Sequence, residues 1–117
     1  MQPHHSLVVW KEAHQFILLL YRATETFPNH EMYGITSQIR RAAVSIATNI
    51  VEGSSRPYPK DRLRFIRISK GSSKECSYLL ELSKDLGYIN EATYQQLESC
   101  RSRTDYLLYQ LAKSIDC

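Results

Sequence analysis

The chain has 117 residues, a mass of 13.6 kDa and a formal net charge of +3 from 15 basic and 12 acidic residues. That length corresponds to one domain, and a hydrophobic content of 43% is ordinary for a chain with a packed core, which argues against disorder. Four Gly and four Pro are too few for a many-turned β-sandwich, the charge-free run Ala42–Val51 is too short to cross a bilayer, and no basic residue precedes an apolar run at the N-terminus as a secretory signal requires. One cytoplasmic domain is expected, with no membrane partner.

Four segments carry helical periodicity. The first spans about 6–27, with Trp10, Ala13, Ile17, Leu20, Thr24 and Phe27 at three- and four-residue steps on one face. Ser6 is its expected N-cap, and Pro28 with Asn29 ends it. Its run Phe16-Ile17-Leu18-Leu19-Leu20 is apolar on nearly all sides, so Leu18 and Leu19 point away from the Trp10 stripe.

The second segment spans about 33–52, with a stripe of Ile35, Ile39, Ala42, Ala43, Ile46 and Ile50. Gly53 suits the position just after its C-cap. Val44, Ala47 and Val51 lie off the stripe. A second apolar face on so small a domain predicts a subunit interface, formed by Leu18, Leu19, Val44 and Val51. Arg40 and Arg41 are expected to pair with structural partners, and Asn49 and Glu52 to act as polar locks at the helix end.

Gly53 to Pro59 reads as a loop. The third segment spans about 60–86, with Phe65, Ser69, Ser72, Cys76, Leu79, Leu80, Ser83 and Leu86 on one face. Gly71 lies inside it at a cost of about 1 kcal/mol against Ala; alternatively, Gly71, Ser72 and Ser73 mark a tight helix contact. Gly87 is a C-cap signal. The fourth segment spans about 91–115 behind Asn90 as N-cap, with Leu97, Cys100, Thr104, Leu107, Leu108, Leu111 and Ile115.

Short connections make consecutive helices antiparallel neighbours. The expected fold is therefore all-α, an up-down-up-down antiparallel four-helix bundle over residues 1–117. Helices of about 20 residues give a bundle roughly 30 Å long.

Charge is concentrated. Arg56–Lys74 holds seven basic residues and one acid, Asp61, whereas the rest of the chain is net negative. Lys60, Arg64, Arg67 and Lys74 fall on one arc of the third helix, flanked by Tyr58 and Tyr78. Arg56, Lys60, Arg64, Arg67, Lys70 and Lys74 are the candidate nucleic-acid contacts, since such a stripe neutralises phosphates and the tyrosines offer stacking surfaces. A solvated outer helix face is the plain alternative.

Nothing points to catalysis. Cys76, Cys100 and Cys117 include no Cys-x-x-Cys pair, and His4, His5, His14 and His30 share no ligand spacing with them, so no metal is expected. No Glu precedes a His by three residues, as di-iron bundles require. Lys70-Gly-Ser-Ser-Lys74 lacks the phosphate-loop spacing and a preceding strand. No Gly-x-Ser-x-Gly or dinucleotide fingerprint occurs. No enzyme activity, small-molecule substrate or cofactor is expected.

Several stretches together are distinctive: Val9-Trp10-Lys11-Glu12-Ala13, Phe27-Pro28, the long block from Glu31-Met32-Tyr33-Gly34 through Arg40-Arg41-Ala42-Ala43 to Asn49-Ile50-Val51-Glu52-Gly53, the Gly71-Ser72 step and Leu86-Gly87-Tyr88. In these the chain resembles the four-helix bundle family of proteins encoded in intervening sequences of bacterial 23S rRNA genes. The family often has Pro where Ala47 stands, Ala where Val51 stands and an aliphatic residue where Cys76 stands. The resemblance implies an antiparallel bundle, a ring-shaped homopentamer and no established enzyme activity. It also extends to the accessory variability determinant proteins of diversity-generating retroelements, which assist a reverse transcriptase. Two functions are thus expected to compete: a self-assembling, non-catalytic bundle that binds structured or ribosomal RNA, and an oligomeric adaptor that docks a nucleic-acid-processing partner such as a reverse transcriptase.

Overall fold

A computed structural model describes residues 7–115. Ser6, His4, His5 and Cys117, each singled out above, lie outside the described residues. Among the described residues four helices follow in order, α1 Val8–Thr24, α2 Ile35–Ser54, α3 Pro59–Asp85 and α4 Glu91–Ile115, with one 3-10 turn at Asn29–Glu31 before α2. Each helix packs on its two neighbours around a square, α1 on α2, α2 on α3, α3 on α4 and α4 back on α1, with α2 and α3 the most closely joined pair. This is the antiparallel bundle that the short connections predict. It measures 43 × 24 × 24 Å, longer than expected because α3 and α4 run to 27 and 25 residues.

Local chemistry explains the helix ends. Pro59 sits in the first turn of α3, where a missing N–H costs nothing. Gly87 has φ of +80° and closes α3. Its N–H donates to the Lys84 carbonyl and that of Tyr88 to the Ser83 carbonyl, the paired bonds of a Schellman cap. Asn90 Oδ1 accepts the Thr93 N–H at 2.8 Å and caps α4. The residue before α1 is Leu7, in extended backbone without a side-chain cap.

The core differs from the periodic reading by one residue in two helices. In α1 the buried row is Val9, Ala13, Phe16, Leu20 and Thr24, continued by Phe27 beyond the helix, and Trp10 and Ile17 are half-buried at its edge. A run of five apolar residues leaves the phase open, and the largest of them, Phe16, takes the centre. In α3 Leu63, Ile66 and Ser73 are buried, Phe65 and Ser72 are half-buried, and Leu86 is exposed. Ala47, expected off the α2 stripe, is buried.

The glycines exchange roles. Gly53 lies within α2, which continues to Ser54, and a Cβ there would stand 3.2 Å from Phe65 Cβ and 3.4 Å from the Arg62 carbonyl oxygen. The α2–α3 close approach therefore falls at Gly53. Gly71 is exposed, and a Cβ there would meet nothing within 4 Å. Small buried Ser69, Ser73 and Cys76 bring α3 onto its neighbours. Ser69 Oγ donates to the Ile46 carbonyl at 2.7 Å, which satisfies a hydroxyl that burial would otherwise penalise.

Candidate nucleic-acid interface

The outer face of α3 follows from helical spacing. Lys60, Arg64, Arg67 and Lys74 recur at steps of three, four and seven, on the side opposite the buried Ser69 and Cys76. All four are exposed. Lys60, Arg64 and Arg67 meet in a shallow cleft with Asp61 and the exposed Ile68. Arg67 also lines a second cleft between α3 and α4, where Leu63 and Lys70 face Tyr109, Ala112 and Lys113. Lys70 Nζ lies 5.6 Å and Lys113 Nζ 5.7 Å from the Tyr109 ring centre.

Neighbouring charges divide the six candidate cations. Arg56 Nη2 donates to Glu52 Oε2 at 3.0 Å, and its guanidinium covers the Phe65 ring at 4.9 Å. Arg64 stands at 4.5 Å from the same ring. Lys74 Nζ pairs with Asp105 Oδ2 at 3.4 Å. Among the described residues no carboxylate pairs with Lys60, Arg64, Arg67 or Lys70. Tyr58 and Tyr78 are exposed at the two ends of the stripe. Sequence reasoning missed Tyr109 and Lys113, because only the antiparallel packing of α4 on α3 brings them beside Arg67.

The candidate interface residues separate. Arg40 Nε donates to Thr24 Oγ1 at 2.8 Å and its Nη2 to the Tyr21 carbonyl at 3.1 Å, and the guanidinium lies 4.4 Å over the Tyr21 ring. That bridge fixes which side of α2 faces α1. Val44 and Val51 follow Arg40 at helical spacing and share that side, half-buried. Leu18, at 39% exposure, shares the outer side of α1 with Tyr21. Leu19 turns the other way and packs half-buried against the core. It lies on the α4 flank, two turns after Glu12, which bonds Arg103 across to α4 at 2.6 Å.

The remaining polar residues hold helices together. Asn49 Nδ2 donates to the Ser45 carbonyl at 2.8 Å, and Ser72 Oγ donates to Ser45 Oγ at 2.8 Å, tying α3 to α2. Arg101, only 6% exposed, donates to both oxygens of Glu98, at 2.6 and 2.9 Å, and to Ser73 Oγ at 3.0 Å. No apolar pattern announces such a buried cation. Burial pushes the Cys76 thiol up to about 12 and raises that of Cys100. Both are protonated packing groups at neutral pH. Among the described residues no group of three or more His, Cys, Asp or Glu side chains is placed to hold a metal ion, and no helix is long and apolar enough to cross a membrane.

Fold and surface define an antiparallel helical bundle with one basic outer helix. The chain belongs to the 23S rRNA-intervening sequence protein family, whose model matches residues 5–110. A crystal structure of a protein of unknown function from the S23 ribosomal protein family of Bacteroides thetaiotaomicron is similar in fold, with a TM-score of 0.82 and 22% identity, over 91% of this chain and 99% of that one. No curated protein sequence matches the chain.

Proposed function

We propose that this protein is a non-catalytic, self-associating bundle that binds structured RNA, ribosomal RNA included, through the outer face of α3. The observation that carries this reading is the row Lys60, Arg64, Arg67 and Lys70, four cations without a carboxylate partner among the described residues. Phosphates are the ligands that such a row attracts without sequence preference, and ring assembly would repeat the row around an axis and multiply its field. Changing Arg64 and Arg67 together to Glu should sharply weaken RNA retention and flatten the slope of log affinity against log salt by about 1.4–2, with the helical circular dichroism spectrum intact. Unchanged retention overturns the reading.

A second reading, an adaptor that docks a protein such as a reverse transcriptase, is favoured by Met32 and Tyr33. These lie exposed at 54% and 92% in the connection before α2. Purification from the native host with and without nuclease separates the two: a nuclease-resistant polymerase partner selects the adaptor, and a nuclease-sensitive association selects RNA.

A further inference from the structure

Gly71 occupies the middle of the outer face of α3, one turn after Arg67 and one turn before Lys74. Glycine in a helix interior destabilises it relative to almost any other residue. The usual reasons for accepting that cost are absent. The backbone there is ordinary helix, since Gly87 alone among the described residues has positive φ. Among the described residues no part of the chain approaches: a Cβ at Gly71 would meet nothing within 4 Å, whereas at Gly53 it would press on Phe65. The close approaches inside the fold are made by Gly53, Ser69 and Ser73 instead.

We infer that Gly71 is the point at which the phosphodiester backbone of bound RNA lies directly against α3, an inference that rests on the RNA reading of this face. Without a side chain, the ridge of α3 dips between Arg67 and Lys74. A phosphate can sink to the helix surface there, with the Arg67 guanidinium on one side and the Lys74 ammonium on the other. Lys70 flanks the dip on the α4 side. Lys74 is 69% exposed and its ammonium reaches a phosphate from solvent, whereas its partner Asp105 is only 22% exposed and stays beside it, so this side of the dip attracts a phosphate less than the Arg67 side does. Glu75, exposed at the α2 edge beside Arg41, bounds the site there. Charge excludes this same face of a second copy and suits a phosphate chain. A second copy presenting this same face would set Arg64, Arg67 and Lys70 against their like, whereas a polyphosphate chain meets them with opposite sign.

The test compares Gly71→Ala and Gly71→Gln with the wild type and with the Arg64→Glu/Arg67→Glu double variant. Three quantities are read at one protein concentration: thermal midpoint, subunit number by light scattering, and affinity for a fluorescently labelled RNA hairpin with single-stranded flanks. Gly71→Ala should raise the midpoint by about 3–5 °C, because alanine is the better helix former. It should also weaken RNA binding about fivefold, the worth of one close contact, with Gly71→Gln weakening it further at unchanged subunit number. RNA affinity that is unchanged in both glycine variants but lost in the arginine variant overturns the Gly71 contact and leaves the basic face standing. Affinity unchanged in all three variants removes the RNA reading itself. A fall in subunit number with Gly71→Gln assigns the dip to a second copy and overturns the inference.

Discussion

Glu31 makes two contacts that tie the sequence-distant ends of two loops. Its Oε1 accepts the Ile35 N–H at 3.2 Å, satisfying a first-turn donor of α2, and its Oε2 accepts the Tyr88 hydroxyl at 2.7 Å. The connection before α2 is thereby fastened to the turn between α3 and α4. The hydroxyl bond and the Ile35 amide hold the Glu31 carboxyl below its usual range, and the same bond raises Tyr88. His30 Nε2, 3.9 Å from Oε2, adds to the pull on Glu31 when it is protonated. A carboxyl lowered in the folded state contributes stability above its unfolded value and loses it as pH falls through the native one. Tyr88 does the reverse: its contribution is intact below the ordinary tyrosine value and is lost as pH rises through the raised one. Tyr88→Phe should therefore lower the thermal midpoint at neutral pH, with the gap to wild type narrowing in acid below the usual carboxylate range. A gap that stays constant through acid would show that the bond does not couple to Glu31.

At the scale of the element, α2 and α3 form the most closely joined pair because one position carries no Cβ. Gly53 lets Phe65 and the Arg62 backbone settle on α2, and Ser69 bonds the Ile46 carbonyl further along the same seam. A branched side chain at 53 would push the helices apart. Gly53→Val should cost about 2 kcal/mol through overpacking, read as a lower midpoint in chemical denaturation. A variant as stable as wild type would mean that α3 shifts freely along α2. The opposite sign is expected at Gly71 on the same pair of helices, because there the added methyl meets only solvent.

Over the whole molecule, the bundle closes its core and leaves an apolar row outside it. Leu18 and Tyr21 on α1, with Val44 and Val51 on α2, line the outer side of one helix pair, held in register by Arg40. The self-association proposed above uses this row, while Leu19 lies half-buried on the other flank of α1. Leu18→Glu with Val44→Glu should convert an oligomer into a 13.6 kDa monomer in size-exclusion light scattering, with helicity retained. An oligomer of unchanged mass would move the interface elsewhere.

Helix number, order and antiparallel sense were legible in the chain, because breaks at Pro28, Gly53–Pro59 and Gly87–Asn90 separate apolar repeats of helical period, and the caps at Gly87 and Asn90 are local chemistry. The basic row on α3 was legible for the same reason: spacing along one helix places side chains without reference to any other. What lay between helices was not. Only packing decided that Phe16 rather than Ile17 enters the core, that Gly53 makes the close approach that the Gly71-Ser72-Ser73 step suggested, and that Arg101 is buried against Glu98 and Ser73. Tyr109 and Lys113 likewise join Arg67 only through the tertiary fold. Periodicity within one helix fixes a direction in space only to about one residue, about 100° of rotation. Which neighbour fills that direction, and at what distance, depends on the volumes of side chains that are far apart in sequence and meet only when the bundle closes.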